Sequence, residues 1–334
     1  LAFAAVHTTY KDGYSNGSEL RFKLLDLKGQ ILDSLSIPHQ KGISLVGLTS
    51  DGSSYYVAYQ REISSGDRTM HVAKISQEAE LVWETLIGQR FGTRGLNLLR
   101  VSPDGNVVLF AQMYDQIGFD QINTEGKIIG RKLLYFEEDF SPRSFFFEED
   151  GSLVGIGSYT EYQGSETYSS SVVFRLNVSY QLLHYKQLQS PYQDEAQDVI
   201  STEAGQYAVL TNATNLSAPY GERQNFMTIS ILNQELDLVH QTNIKNTATG
   251  LSLGLHFDPQ AGLFTYQRVY NRRPSFLLYQ LLPDLSIKQM YSARTEAGLE
   301  IGDPTKLIKQ DGKFYLLCGD LSSTLVSFSL PQKD

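Results

Sequence analysis

The chain has 334 residues, with 28 Lys+Arg against 37 Asp+Glu and a formal charge of −9. That balance argues against a general nucleic-acid surface or an anionic-membrane surface. A single cysteine, Cys318, excludes an intrachain disulfide and a cysteine-built zinc or iron–sulfur site. No run of 18 apolar residues is present, so no transmembrane helix is expected. Tyrosine and phenylalanine are plentiful, at 20 and 17 residues, which suits half-buried antiparallel sheets. The opening stretch Leu1-Ala2-Phe3-Ala4-Ala5-Val6 has no basic flank and runs straight into strand-like sequence. It reads as a processed or truncated start, not as a signal peptide.

In chain order, residues 3–10, 20–27 and 31–37 read as three strands. A turn then recurs: Ser50-Asp51-Gly52-Ser53, Pro103-Asp104-Gly105-Asn106, Glu149-Asp150-Gly151-Ser152, Glu203-Ala204-Gly205-Gln206, Gln260-Ala261-Gly262 and Gln310-Asp311-Gly312-Lys313. Its glycines are spaced 53, 46, 54, 57 and 50 residues apart. Asp-Gly between β-rich segments supplies the positive-φ positions of a tight hairpin, and six in phase mark a repeat. Each turn leads into a strand, at 55–59, 107–113, 153–159, 207–211, 263–269 and 314–318. Third strands are predicted at positions such as 70–75, 171–176, 227–232 and 276–281. Fourth strands are predicted at 81–87, 127–134, 182–188, 236–244 and 285–291.

Four antiparallel strands per roughly 50 residues, with no helical period, is the pattern of a β-propeller blade. The count gives seven second strands and seven third strands, but six first and six fourth strands. The predicted fold is therefore an all-β, seven-bladed β-propeller of four-stranded blades with incomplete terminal blades. It forms a single domain over 1–334, with blades near 1–38, 43–88, 95–135, 141–189, 195–244, 249–292 and 303–334. Unpaired edges on the first and last blades predict that the natural protein extends upstream of Leu1, where roughly 15–20 residues would supply both missing strands. A signal peptide or a lipid-anchored start is expected there.

Ser102-Pro103-Asp104-Gly105 followed by Asn106-Val107-Val108-Leu109-Phe110 resembles the repeat of TolB-type and lactonase-type seven-bladed propellers. Glu80-Leu81-Val82-Trp83-Glu84 resembles one strand of the quinoprotein-type repeat. The resemblance covers the whole chain as blade architecture and singles out no one family. One tryptophan is too few for the repeated Trp motif of quinone-cofactor dehydrogenases, so no cofactor is expected.

In such blades the first-to-second and third-to-fourth turns share one face, while the second-to-third loops and inter-blade connections share the other. Long loops on a rigid scaffold are where binding residues gather. The long loops are expected at 9–19, 61–68, 160–169, 212–224 and 270–274, with connections at 88–95, 189–195 and 292–303. They place Arg90, Arg94, Tyr192, Tyr220, Arg268, Tyr270, Arg272, Arg273 and Arg294 as candidate binding residues. Arginines and tyrosines gathered in an acidic protein suit carboxylates, sugars or an acidic protein segment. A solvated loop surface with ordinary ion pairs is the competing reading. Along the innermost strands, Ser44, Asn97, Arg143, Gln197, Ser252 and Thr305 stand as candidate channel-mouth residues, in a setting where polar side chains also suit a simply wet channel.

The six histidines are scattered and form no metal-spaced motif, and Gly-x-Ser-x-Gly is absent. No catalytic or metal-binding residue is nominated. The functional reading is a non-catalytic binding or scaffold propeller that docks a protein partner or glycan through its long-loop face. Its expected location is extracytoplasmic, at a cell surface, in a periplasm or secreted, in a complex that a lipid anchor upstream of Leu1 would hold to a membrane. The alternative is a propeller-type hydrolase or lactonase with a composite site at the channel mouth.

Overall fold

The computed structural model describes residues 2–11, 14–26, 30–64, 67–89, 98–113, 116–134, 139–163, 166–188, 193–202, 205–215, 224–245, 251–269, 275–294, 303–310, 313–319 and 324–329. They form 26 strands and, among the described residues, no helix. The strands fall into seven antiparallel sheets, here called blades. Blade 1 is β1 (Ala2–Lys11), β2 (Tyr14–Leu25) and β3 (Ile31–His39). Blade 2 is β4 (Ile43–Ser50), β5 (Tyr55–Ser64), β6 (Asp67–Ile75) and β7 (Leu81–Gln89). Blade 3 is β8 (Leu99–Val101), β9 (Val107–Met113), β10 (Gln116–Ile122) and β11 (Ile128–Leu134). Blade 4 is β12 (Asp139–Phe147), β13 (Leu153–Gln163), β14 (Glu166–Leu176) and β15 (Leu182–Gln187).

Blade 5 is β16 (Gln193–Ser201), β17 (Tyr207–Thr214), β18 (Asn225–Leu232) and β19 (Leu238–Lys245). Blade 6 is β20 (Leu251–Asp258), β21 (Gly262–Val269), β22 (Ser275–Leu281) and β23 (Ile287–Arg294). Blade 7 is β24 (Asp303–Gln310), β25 (Lys313–Gly319) and β26 (Thr324–Ser329). Strand order within each sheet is sequential, with five four-stranded blades and three strands in the first and the last. Full blades are lettered A to D in chain order; by phase, blade 1 holds B, C and D, and blade 7 holds A, B and C. The chain divides into two compact units, Leu1–Ser152 and Leu153–Asp334.

Two hairpin types make each blade. At the A–B turns the glycines at 52, 105, 151, 205 and 262 have φ between 77° and 93°, while the neighbouring aspartates stay at negative φ. In blade 3, Gly105 N donates to Ser102 O (2.9 Å) and Ser102 N to Asn106 O (2.8 Å). This is a type I turn closed by a residue in the left-handed region, so one positive-φ position suffices where Asp-Gly suggested two. Gly312 lies outside the described residues.

The C–D turns repeat the geometry with different residues. Ala79, Tyr180, Leu236 and Leu285 take φ of 57–65°, and among the described residues only blade 3 uses a glycine, Gly126. A left-handed L-residue costs about 1–2 kcal/mol. Here the four side chains are buried, Leu236 completely, so burial of apolar surface offsets the strain.

Alternation along the strands sends side chains into cores on both sides of a blade. In the first unit, Leu20, Phe22 and Leu24 of blade 1 pack with Val57, Tyr59 and Ala73 of blade 2. Phe110 and Phe119 stack at 4.4 Å, and Phe145 of β12 meets both edge-on. In the second unit, Leu210, Met227 and Ile229 of blade 5 pack with Leu255, Tyr279 and Leu281 of blade 6. Buried polar groups join inner strands: Ser158 Oγ accepts from Ala196 N (2.8 Å), and Asp198 Oδ2 from Leu255 N (3.0 Å). Each fixes one blade against the next through a backbone N–H that would otherwise be buried unpaired.

Candidate functional site

The B–C ends of the blades differ from the expected long loops. In blades 1, 2 and 4 the chain continues as paired strand, with Lys11 opposite Tyr14, Ser64 opposite Asp67 and Gln163 opposite Glu166. The described residues of the stretches 9–19, 61–68 and 160–169 are therefore ribbons carried by backbone pairing. Their Thr-, Tyr- and Ser-rich sequence looked like loop because backbone pairing does not require an apolar face. The two 11-residue strands of the blade 4 ribbon reach about 37 Å, against about 24–27 Å for the seven- and eight-residue pair in blade 6.

The blade 2 ribbon is anchored at its base by the segment entering the blade. His39 Nε2 donates to Glu62 O (2.8 Å), Lys41 Nζ to Ile63 O (2.5 Å) and Glu62 N to Gly42 O (2.9 Å). Beneath it lies a polar cluster that sequence reading did not find. Arg61 and Glu84 form a two-pronged ion pair, Nη1–Oε1 at 2.9 Å and Nη2–Oε2 at 3.1 Å. His71 Nδ1 is 2.7 Å from Glu84 Oε1, and Thr69 Oγ1 is 3.0 Å from His71 Nε2. The Tyr59 ring stacks on His71 at 5.6 Å, and the Arg61 guanidinium lies 5.3 Å from the Tyr59 centroid.

The hydrogen bond from His71 holds the Glu84 carboxyl below its ordinary range; burial opposes this and Arg61 reinforces it. Burial pushes the Tyr59 phenol well up, with the Glu84 carboxylate adding to it. The signal was the alternation: Tyr59/Arg61 and Thr69/His71 lie two apart on paired strands, which puts all four on one sheet face.

Of the candidate binding residues, Arg90, Arg94, Tyr192, Tyr220, Tyr270, Arg272 and Arg273 lie outside the described residues. Arg268 and Arg294 are brought to the same end of blade 6. Their backbone positions occupy neighbouring rows, with β22 between them.

Among the channel-mouth candidates, Asn97 lies outside the described residues and Arg143 lies in β12. Ser44 stands opposite Gln60 and Ser252 opposite Gln267, two buried glutamines. Gln197 and Thr305 instead occupy β-bulges, at Ala196/Asp198 and Pro304/Lys306. Gln197 Nε2 reaches Glu195 O at 3.4 Å. Among the described residues, no group of three or more His, Cys, Asp or Glu is placed to hold a metal ion.

No family model matches the chain, and no curated protein does. Solved structures do. Drosophila semaphorin 2a aligns with a TM-score of 0.55 at 8% identity, over 98% of this chain and 74% of that one. The β-propeller domain of the Trilobed protease from Pyrococcus furiosus gives 0.53 at 10% identity, over 98% and 88%. A putative 6-phosphogluconolactonase from Bacteroides fragilis gives 0.51 at 12% identity, over 98% and 95%. At such identities the likeness shows the fold alone. With its seven successive antiparallel blades, the chain is a β-propeller. Among the described residues, no helix is long and apolar enough to cross a membrane.

Proposed function

We propose that the chain is a single-domain binding propeller that docks a protein partner or a glycan through the B–C ends of its blades, in an extracytoplasmic complex. The build of those ends supports this reading. Three ribbons extend by backbone pairing, and the blade 2 ribbon is tied down at its base by three hydrogen bonds to the entering segment. A pre-ordered ribbon loses little conformational entropy when a partner seats on it. Arg90, Arg94, Arg272, Arg273, Tyr192, Tyr220 and Tyr270 stand in the sequence next to these ends and supply the residue types that dominate binding surfaces.

Chemical cross-linking of the full chain in its producing cells, together with a glycan array, tests the proposal. Cross-links or glycan signal should be lost when Tyr220, Arg272 and Arg273 become alanine, or when residues 162–167 are cut to an Asn-Gly turn. Cross-links confined to the A–B and C–D turns would overturn it. Hydrolysis of 6-phosphogluconolactone by the chain would instead favour a lactonase with a composite site built from the inner strands.

A further inference from the structure

Blades 5 and 6, both in the second compact unit, form a half-open cavity of about 490 Å³ at their A–B and C–D turns, the end opposite their own B–C ends. Its size falls in the roughly 300–1,000 Å³ range of small-molecule sites. The floor is apolar, formed by Ile231, Phe257, Leu263, Leu281 and Leu285, and continues the core between the two blades. Among the described residues, His240 and Lys288 are the ionisable lining residues, and Lys288 brings a cation to a chain of net charge −9. His240 Nε2 donates to Asp284 O (2.7 Å). Lys288 Nζ has no hydrogen-bond or ion-pair partner among the described residues. The nearby Asp284 carboxylate is turned into its own loop, on Ser286 N (3.0 Å) and Oγ (2.6 Å), and does not line the cavity.

The repeat supplies an internal comparison. His240 is the third residue of its D strand, as Trp83 is in blade 2. There the indole reaches across to blade 3, Nε1 donating to Thr124 O (3.0 Å), and its ring covers Gly126. In blade 5 a smaller ring bonds to the next blade's turn one position further along, at Asp284 O, and leaves the space above the apolar floor open.

We infer that this cavity binds a medium-chain aliphatic carboxylate. Its alkyl body would lie on the Ile231–Leu285 floor and its carboxylate against Lys288. A body of eight to ten carbons, at about 30 Å³ per water-sized group, fits the volume with room for the head group. A charge-assisted pair to an ammonium at the rim, absent for an uncharged head, gives the selectivity.

Isothermal titration of the full chain with octanoate and with octanol tests it. One octanoate should bind per chain, octanol about tenfold or more weakly, and Lys288→Gln should weaken octanoate about tenfold while leaving octanol unchanged. Unchanged Trp83 emission in Lys288→Gln verifies that the fold is intact. No octanoate binding at millimolar concentration, equal binding of octanol, or undiminished octanoate affinity in Lys288→Gln would each overturn the inference.

Discussion

Replacing Gly126 by alanine probes the seam between blades 2 and 3 with two separable costs. Gly126 sits at φ 84°, and an added Cβ would lie 2.9 Å from Trp83 Cδ2 and 3.1 Å from Thr85 Oγ1. The backbone term for an L-residue there is about 1 kcal/mol. The contact term is larger, because an indole cannot bend aside as a flexible chain end can. Displacing it breaks the Trp83 Nε1 to Thr124 O bond, about 1 kcal/mol, and loosens the Thr85 Oγ1 to Gly126 O bond beside it. The expected loss is about 3 kcal/mol. Gly52→Ala provides the control: its φ is 88°, but nothing lies within 4 Å of the added Cβ, so about 1 kcal/mol is expected. Urea unfolding followed by tryptophan emission reads the seam directly, since Trp83 is the only tryptophan in the chain. Gly126→Ala should also shift the native emission, and Gly52→Ala should not. Equal losses for the two variants, with native emission unchanged in both, would refute the reasoning.

Glu84→Gln should cost about 1–2 kcal/mol at neutral pH, because it strips the half-buried Arg61 and His71 of their shared anion. Glu84 has a depressed folded pKa, so its contribution is present above the unfolded value and is lost as pH falls through the folded one; the variant's deficit, measured by urea titration, should vanish in acid. At Asp51, burial alone would raise the pKa, but hydrogen bonds from Tyr56, Ser53 and Ser54 lower it to about 2. Tyr56→Phe removes the 2.7 Å donor, so an NMR titration of the Asp51 carboxyl should move up, and less stability should be lost between about pH 4 and pH 2. Leu236→Ala should cost about 2–4 kcal/mol from a fully buried site, and Leu236→Gly no more than that, since glycine relieves the left-handed strain; calorimetric melting compares them.

The legible part of this fold was the part that chemistry restricts to one residue. Only glycine takes a left-handed position without strain, so the A–B turns announced themselves at Gly52, Gly105, Gly151, Gly205 and Gly262 and fixed the blade phase. The C–D turns make the same bend with Ala79, Tyr180, Leu236 and Leu285, whose identity follows from the core that each side chain enters. Nothing local distinguishes them from strand residues. The ribbons of blades 1, 2 and 4 were hidden for the converse reason, since polar, tyrosine-rich sequence is shared by loops and by pairs of strands standing clear of a core. The Arg61–Glu84–His71 cluster spans three strands, and its members acquire meaning only once the register sets Tyr59 opposite His71.

The outermost strands press the point further. Ile31-Leu32, Leu81-Val82, Ile128-Ile129, Leu182-Leu183 and Leu238-Val239 open five successive D strands, and all ten side chains are exposed. Apolar runs of this kind coincide with the fourth strands without marking burial. Each D strand has a paired neighbour on one side only, so consecutive residues point to opposite faces at a sheet edge and neither face is covered. The next residue along shows what decides the outcome. Trp83 and His240 reach across to the neighbouring blade and bond to a turn carbonyl, while Leu81-Val82 and Leu238-Val239 beside them stay in solvent. At this edge the bond to the next blade's turn holds the blades in register, and the aliphatic pair supplies the β-propensity that keeps the strand extended up to it.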